Sequence, residues 1–470
     1  MSENRNSILA KNTIIIGVGQ LIPKFIALIT LPILTKYLST DGYGIYDLIL
    51  SIGSLAIPLM TLLVQQAAFR FIIDPQNDKS EIITCTIGVV GILMIIWAAV
   101  IWLLALFGVY DKSVLWMIFL LYSSESLFDM VGQIIRGLGQ NVSFSIGVVI
   151  YSVANLLAVL TLLWCDLINA STVITVSAIA YIFSFFFLCI KGNIFRYLDL
   201  KKFSIFQVKR MMIYSLPIIP SSISLWIVNL SDRLLIIAFL GTAMNGIYAT
   251  ANKIPNLCGT AYSVFNLAWT EMAARTVDDE DKNHYYTELF NKLFAFLVGV
   301  FLLLIVISPL IFKILIDEKF NAGLFQMPIL FAGIFFSSMV SFLGGIYVAL
   351  QKTKQVGFSS AVGAVLNLLF NVMLIKKIGL YAASASTVLS FFLIFVYRWL
   401  DVKHYINIKK DKQLIISGYI CFSAVCILYY INLKLMICIG TILAVIYNYK
   451  YNMPMIKIIL EKKLKRKKEK

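Results

Sequence analysis

Residues 217–253 read PIIPSSISLWIVNLSDRLLIIAFLGTAMNGIYATANK, and this stretch decides how the rest of the chain is interpreted. Its pattern predicts two apolar helices joined by a short turn at Leu240–Asn245. Asp232 and Arg233 lie inside the first helix, and Lys253 lies inside the second. A charge at the bilayer centre costs about 2.5–3.5 kcal/mol on insertion scales, so charges persist there where they face a bundle interior, a wet cavity or each other. The stretch is therefore predicted to line a transport path.

The composition is that of a chain embedded in a lipid bilayer. Of its 470 residues, 60% are hydrophobic and 14% are charged, and the mean hydropathy is +0.88. A soluble domain carries about 25% charged residues, so a soluble globular class is excluded. The seven cysteines are scattered without a Cys-x-x-Cys spacing, so neither a disulfide framework nor a metal site is predicted, and no cofactor is expected.

The predicted fold class is an all-α polytopic membrane protein with about fourteen transmembrane helices. A membrane-spanning helix needs about 20 mostly apolar residues. Fourteen segments meet this criterion, and the last two are separated only by Asn432. The predicted spans are 12–35, 43–69, 82–108, 113–135, 141–165, 170–191, 211–240, 244–271, 286–312, 324–350, 356–375, 378–400, 413–431 and 433–450.

The net charge of +16 arises mainly from Lys and Arg residues in the predicted loops and termini. With the N-terminus placed inside, 29 of the 40 Lys and Arg fall in predicted inside segments and 7 in predicted outside segments. Because Lys and Arg concentrate in cytoplasmic loops, both termini are predicted to be cytoplasmic. The charge is thus an orientation signal and does not indicate nucleic-acid binding. The terminal KLKRKKEK, residues 463–470, is predicted to lie against the anionic inner leaflet.

A weak internal repeat divides the chain into two halves. LSTDGYGIY at residues 38–46 matches LGTAMNGIY at residues 240–248, sharing Leu, Thr, Gly, Ile and Tyr in register. Parallel repeats are typical of secondary transporters with a substrate site between the halves, although chance similarity in an apolar sequence is the alternative. The predicted domains are a six-helix lobe at 1–200, a second six-helix lobe at 201–410, and two extra helices with a basic cytoplasmic tail at 411–470.

Charged residues within the predicted spans are the candidate substrate-binding residues. No P-loop, zinc-binding His-Glu-x-x-His or Gly-x-Ser-x-Gly motif is present, so no enzymatic activity is predicted. Lys24 and Lys253 are predicted to face a central cavity, with a snorkelling or structural role as the alternative for Lys24. Asp47 is predicted to pair with one of these lysines or to lie at the interface. Asp232 and Arg233 point about 100° apart, so each needs its own partner, as an ion pair or as a substrate contact.

Glu125 and Asp129 form a second candidate site, for ion coupling. They are four residues apart in the fourth predicted span and therefore share one helix face. Two carboxylates this close can bind a proton or a cation, whereas the alternative is a pair hydrated by the neighbouring serines. Gln65 and Gln66, together with Arg70, are predicted to mark only the end of the second span.

Several motifs resemble those of polysaccharide-export flippases. The resemblance is carried by Asp232-Arg233, Leu240-Gly241, Gly246-Ile-Tyr248 and Lys253-Ile254, and by Gly42-Tyr-Gly-Ile-Tyr46 in the first half. In these motifs, and in length and repeat layout, the chain is similar to the Wzx-type O-antigen and capsule transporters. These belong to the multidrug/oligosaccharidyl-lipid/polysaccharide (MOP) exporter superfamily.

The resemblance implies two lobes that flip an undecaprenyl-pyrophosphate-linked oligosaccharide from the inner to the outer leaflet of a bacterial cytoplasmic membrane by alternating access. In the related lipid II flippases, cations on helices one and eight and an Asp on helix two surround the substrate headgroup. Lys24, Lys253 and Asp47 fall on the matching helices. The implied partners are the lipid-linked oligosaccharide, membrane lipids, and the polymerase and glycosyltransferases of the same pathway.

Two other function classes remain as alternatives at this point. An ion-coupled exporter of small drugs from the same superfamily is one, but Lys24, Lys253 and Arg233 would give the cavity a positive character that suits an anionic diphosphate. A membrane glycosyltransferase or polymerase is the other, but no predicted loop is long enough to hold a catalytic domain.

Overall fold

The computed structural model describes residues 2–108, 111–431, 433–454 and 457, without the side chains of residues 2–16, 18, 20 and 220–229. The described residues form helices, turns and loops and contain no strand, which confirms the predicted all-α class. The chain divides into two compact units, Met1–Gly246 and Ile247–Lys470. The basic stretch 463–470 lies outside the described residues.

Within the part of the chain that the structure describes, the first unit is built from ten α-helices, the start of an eleventh and two short 3₁₀ helices, Leu200–Lys202 and Leu216–Ile218. Polar residues end the loops by capping the helices that follow: the Ser39 hydroxyl accepts a hydrogen bond from the Gly42 N–H at 3.0 Å, and Asn169 forms a capping box with Thr172. The helices are α1 (Ser2–Tyr37), α2 (Thr40–Thr61), α3 (Val64–Ile73), α4 (Lys79–Leu106), α5 (Lys112–Gly137), α6 (Asn141–Trp164), α7 (Ala170–Lys191), α8 (Ile194–Tyr197), α9 (Ile205–Ser215), α10 (Ile219–Leu240) and α11 (Thr242–Thr276).

Small residues let the helices of the first unit approach closely. Helix α7 packs along both α5 and α6, and α6 packs along α1. A Cβ atom on Gly147 would lie only 2.5 Å from the Leu188 side chain, and the Ser184 hydroxyl donates to the Gly147 carbonyl oxygen at 2.6 Å. Such glycine contacts and interhelical hydroxyl bonds stabilise helix pairs in lipid, where apolar burial between helices contributes little. They fix α7 beside the face of α5 that carries the two carboxylates.

The second unit contains the rest of α11 and seven further helices among the described residues. Helix α15 packs against α13 and α14, and α12 packs against α13, α16 and α18. The Trp269 indole of α11 stacks on Phe342 with ring centroids 4.4 Å apart and donates to the Phe342 carbonyl oxygen. The helices are α12 (Lys282–Leu315), α13 (Met327–Ala349), α14 (Thr353–Ile378), α15 (Tyr381–Val402), α16 (Lys412–Ile431), α17 (Leu433–Leu435) and α18 (Thr441–Tyr451).

Eleven helical segments among the described residues are long and apolar enough to cross a membrane. The predicted spans lie on helical segments, but the second is divided between α2 and α3, and the count of fourteen stays a prediction. Asn432 lies outside the described residues. The predicted lobe boundaries also stay predictions. The eleven segments are α2, α4, α5, α6, α7, α12, Glu318–Ala349, α14, α15, α16 and Leu433–Tyr451.

The second predicted span, 43–69, is wrong as a single helix. Helix α2 ends at Thr61 and α3 begins at Val64, because Leu62 and Leu63 both adopt left-handed backbone conformations with φ of 48° and 53°. This region costs a residue with a side chain roughly 1–2 kcal/mol. Nothing in an apolar Leu-Leu pair signals such a break, so hydropathy alone predicted a continuous helix.

Candidate functional site

The two copies of the repeated motif contact each other inside the first unit. A Cβ atom on Gly44 would overlap the Thr242 carbonyl oxygen, and one on Gly246 would overlap the Thr40 carbonyl oxygen. Thr40 and Thr242 hold the same place in the two copies, as do Gly44 and Gly246. The first turns of α2 and α11 therefore cross with their backbones touching, in a locally two-fold arrangement that only glycine permits.

Side-chain hydrogen bonds stabilise this crossing of α2 and α11. The Asn245 side-chain amide, which is fully buried, donates to the Gly44 carbonyl oxygen at 2.8 Å. The Thr242 hydroxyl donates to the Asp41 carboxylate. The predicted turn before α11 is confirmed, and Gly241 makes it with a φ of +93°. The sequence of this turn thus brings α10 and α11 against the start of α2.

Asp47 and Arg233 form a buried ion pair one turn beyond the crossing. The Arg233 Nε atom lies 2.7 Å from Asp47 Oδ2, and the side chains are 17% and 4% exposed. The pair joins α2 to α10. The structure brings together two of the predicted site residues, and it adds Arg233 to the partners that the sequence had offered for Asp47.

The other predicted cationic and acidic site residues lie on three helices. Lys24 lies on α1 with an exposed side chain, and Asp232 lies on α10 with a side chain that is buried. Lys253 lies on α11 within the second unit and is half-buried. The contribution of these three residues to substrate binding stays a prediction.

Glu125 and Asp129 lie on one face of α5, as predicted from their spacing. The Gln65 amide Nε2 donates to Asp129 Oδ2 at 3.0 Å, and the Gln133 amide Nε2 donates to Asp129 Oδ1 at 3.2 Å. The Tyr181 hydroxyl of α7 faces the Glu125 carboxylate. Gln65 was expected to be only a helix terminus; it is instead fully buried against Asp129, because the break before α3 turns it inward.

Arg398 is a buried cation that sequence reasoning missed. It was counted with the predicted inside loop, but it lies within α15 and is only 2% exposed. Its guanidinium donates to the carbonyl oxygens of Val340 and Val356 and to the hydroxyls of Ser359 and Ser360, at 2.9–3.1 Å. It therefore ties α15 to α13 and α14. The only signal in the sequence was that Arg398 interrupts the apolar pattern near the end of the twelfth predicted span.

The family of the chain follows from its sequence. A family model for polysaccharide biosynthesis proteins matches residues 9–270, which is more than half of the chain. The chain belongs to this family. A search of curated proteins found no match.

Solved structures of transporters share the fold of this family member. The lipid II flippase MurJ in an inward closed conformation matches with a TM-score of 0.70 at 13% identity, covering 93% of this chain and 99% of that chain. An inward-facing multidrug resistance MATE family transporter of the MOP superfamily matches with a TM-score of 0.60 at 13% identity, covering 80% and 95%. A MOP superfamily transporter from Pyrococcus furiosus matches with a TM-score of 0.51 at 13% identity, covering 84% and 96%.

These matches confirm the predicted MOP superfamily fold. The identities are low, so the matches show the fold alone and leave role and cargo to other evidence. Membership of a polysaccharide biosynthesis family adds the pathway in which this transporter-like fold is used.

Proposed function

We propose that this chain is a Wzx-type flippase that moves an undecaprenyl-pyrophosphate-linked oligosaccharide from the cytoplasmic to the outer leaflet of a bacterial cytoplasmic membrane by alternating access. The observation that carries this proposal is the family match over residues 9–270, which, together with the MurJ-like fold, supports a role for this fold in polysaccharide export. O-antigen and capsule precursors are both carried on such lipids. Both termini would lie in the cytoplasm, on the side where glycosyltransferases build the cargo.

The cationic side chains on the transport helices would hold the diphosphate of the carrier lipid. Arg233 would supply a guanidinium held in a fixed orientation by Asp47, since the two side chains are 2.7 Å apart. Lys24 and Lys253 would supply compact positive charges, which bind phosphate as point charges and not through a planar fork. Asp232 precedes Arg233 in the sequence and its side chain is buried. Its negative charge would limit the net positive charge of the site.

A second candidate function, an ion-coupled exporter of small drugs, is supported by the similarity of the fold to the multidrug resistance MATE transporter. The two functions differ in the charge of the cargo. Positive side chains on the transport helices favour an anionic diphosphate over an organic cation. Drug-resistance assays in a sensitive host separate them, since a flippase is expected to confer no resistance.

The test replaces Lys24→Ala and Lys253→Ala in a strain whose chromosomal copy is deleted. Each variant is expected to abolish surface polysaccharide at a normal membrane level of the protein, and to stop flipping of an undecaprenyl-diphosphate-linked sugar in proteoliposomes. Lys112→Ala is the matched control, because this exposed lysine lies at the start of α5 and is expected to leave both readouts unchanged. Full polysaccharide in both lysine variants would refute the roles assigned to them.

A further inference from the structure

The break between α2 and α3 is a strained feature that cargo binding does not explain. Two consecutive leucines, Leu62 and Leu63, adopt the left-handed conformation that side chains disfavour. The Leu63 N–H is satisfied by the Thr61 hydroxyl at 3.3 Å and no longer by a helical carbonyl. Interrupted helices in transporters occur where the loosened segment lines a polar site. The first turn after this break carries Gln65.

Gln65 is a fully buried amide with half of its hydrogen-bonding capacity unused among the described residues. Its Nε2 donates to Asp129 Oδ2 at 3.0 Å, whereas its Oε1 has no donor in the described part of the chain. A buried acceptor without a donor is costly, by about 1–3 kcal/mol. The Gln65 amide therefore donates to Asp129 through Nε2, and its Oε1 atom remains available to accept a hydrogen bond.

A chain of hydrogen-bonded side chains connects Asp129 to the end of α5. The Arg136 Nη1 atom donates to Gln133 Oε1 at 3.0 Å, and Gln133 Nε2 donates to Asp129 Oδ1. Asp129 thus receives an N–H donor on each carboxylate oxygen, and the positive charge nearest to it along this chain of hydrogen bonds is two side chains away. This arrangement satisfies the ionised carboxylate without locking it in a direct ion pair, so the carboxylate remains able to take up a proton.

We propose that Asp129 binds and releases the proton that drives transport, and that Gln65 passes the change to the α2–α3 break. This inference rests on the proposed transport function. Proton uptake from water forms an O–H bond at Asp129 Oδ2, which no longer accepts the Gln65 Nε2–H. The amide then turns over so that Oε1 accepts the new O–H, which gives the orphaned acceptor its donor. Gln65 lies in the first turn of α3, so this exchange alters the contacts that hold the left-handed Leu62–Leu63 pair.

Neutral amides, a second carboxylate and an arginine surround Asp129. Gln65, which reaches it from α3, is neutral. Glu125, one turn away on α5, is faced by the Tyr181 hydroxyl, and the Tyr181 ring stacks on Tyr151 at a centroid distance of 3.9 Å. The charged and titratable groups that face the two carboxylates are Arg136 and Tyr122 of α5, Tyr151 of α6 and Tyr181 of α7.

The first measurement detects the proton and does not depend on cargo. Infrared difference spectra of the purified protein in lipid are recorded between acidic and alkaline pH, with aspartate isotopically labelled. The wild type is expected to show a carboxylic-acid band from aspartate, and Asp129→Asn is expected to remove it. Gln65→Leu should keep the band, because Asp129 is still present. Gln66→Leu, which changes the neighbouring exposed glutamine, should match the wild type.

The second measurement tests coupling in proteoliposomes with an imposed pH gradient and an undecaprenyl-diphosphate-linked sugar. Wild type and Gln66→Leu are expected to flip faster with the gradient. Asp129→Asn and Gln65→Leu are expected to keep only the rate measured without a gradient, at wild-type thermal stability. If Gln65→Leu loses coupling to the pH gradient but keeps the carboxylic-acid band of Asp129, then Gln65 acts after proton binding and is not needed for it.

The outcomes distinguish this inference from the proposed function. Flipping that ignores the pH gradient, or an aspartate band that survives in Asp129→Asn, would overturn the proton site and leave the flippase intact. A sodium gradient that drives flipping through Asp129 would replace the proton with a metal cation and also overturn it. A titrating Asp129 in a protein that moves no lipid-linked sugar would refute the flippase and retain the proton site.

Discussion

Arg233 in the first unit is largely buried and Arg398 in the second is fully buried, and the two are held in different ways. Arg233 contacts a carboxylate, Asp47, at 2.7 Å. The described partners of Arg398 are two carbonyl oxygens and two hydroxyls on neighbouring helices. The first cation is neutralised by one opposite charge, and the second spreads its charge over several dipoles.

The difference predicts that mutation destabilises the protein more at the Asp47–Arg233 pair than at Arg398. Removing one member of the Asp47–Arg233 pair deprives the other of an opposite charge at hydrogen-bonding distance, which is the expensive way to break an ion pair. Removing Arg398 leaves its described hydrogen-bond partners, which are neutral carbonyls and hydroxyls, without a buried charge beside them. The carbonyls that it contacts belong to helices, and the Ser359 hydroxyl still donates to the Gln355 carbonyl oxygen at 2.7 Å. Charge pairing therefore suits a residue that must keep one orientation, and dipolar solvation suits a residue that fastens helices.

The largest effect is expected for Asp47→Asn. This change should lower the free energy of unfolding by about 3 kcal/mol, the lower end of the range for a broken buried pair, because Arg233 is 17% exposed. Thermal unfolding of the detergent-solubilised protein measures it. The double variant Asp47→Asn/Arg233→Gln should recover most of the stability and still fail to transport, since it has lost the guanidinium. A double variant as unstable as the single one would show that the two side chains are not energetically coupled.

A smaller effect is expected for Arg398→Met. The unbranched Met side chain fills similar space, and the loss of the guanidinium hydrogen bonds should lower the free energy of unfolding by about 1–2 kcal/mol. Arg398→Lys keeps the charge but cannot span α13 and α14 with a planar fork, so it should be no more stable than the Met variant. The comparison between the two buried arginines would be wrong if Arg398→Met destabilised the protein more than Asp47→Asn.

The smallest effect is expected at the exposed ion pair of Lys202 and Asp78, which serves as the reference. Their side chains are 43% and 46% exposed and 2.7 Å apart. Exposed pairs contribute little, so Lys202→Ala should leave the melting temperature unchanged within error. The Lys202 ammonium lowers the pKa of Asp78 by hydrogen bonding. Any stability it adds is therefore present above the ordinary pKa of an aspartate and is lost as the pH falls through the lowered one. A clear loss of stability at neutral pH would contradict the ranking.

Much of the fold was predictable because lipid imposes simple rules. Hydropathy located helices at the predicted spans, although it missed the break within 43–69, and the repeat pointed to Gly44 and Gly246 before any contact was known. The charges within the stretch 217–253 identified Asp232 and Arg233. The partner of Arg233 was not predictable, because Asp47 is far away in the sequence and three cations competed for it.

The rest escaped prediction for identifiable physical reasons. The helix break at Leu62 and Leu63 is a backbone conformation that these residues disfavour, so no local propensity announces it. Without that break Gln65 would continue an ordinary helix, and its contact with Asp129 would not be expected. Arg398 lies at the edge of an apolar segment, where a cation normally reaches water, and only the tertiary packing shows that it turns inward.

The crossing of the two repeat copies has a consequence for how this sequence changes over generations. Each of Gly44 and Gly246 touches the backbone of the other copy, so a methyl group gained by either half collides with its counterpart. The two halves are therefore free to diverge in most positions but must retain this pair of glycines jointly. Within the weak match of 38–46 to 240–248, these two glycines are thus the positions at which sterics leave the least room for change.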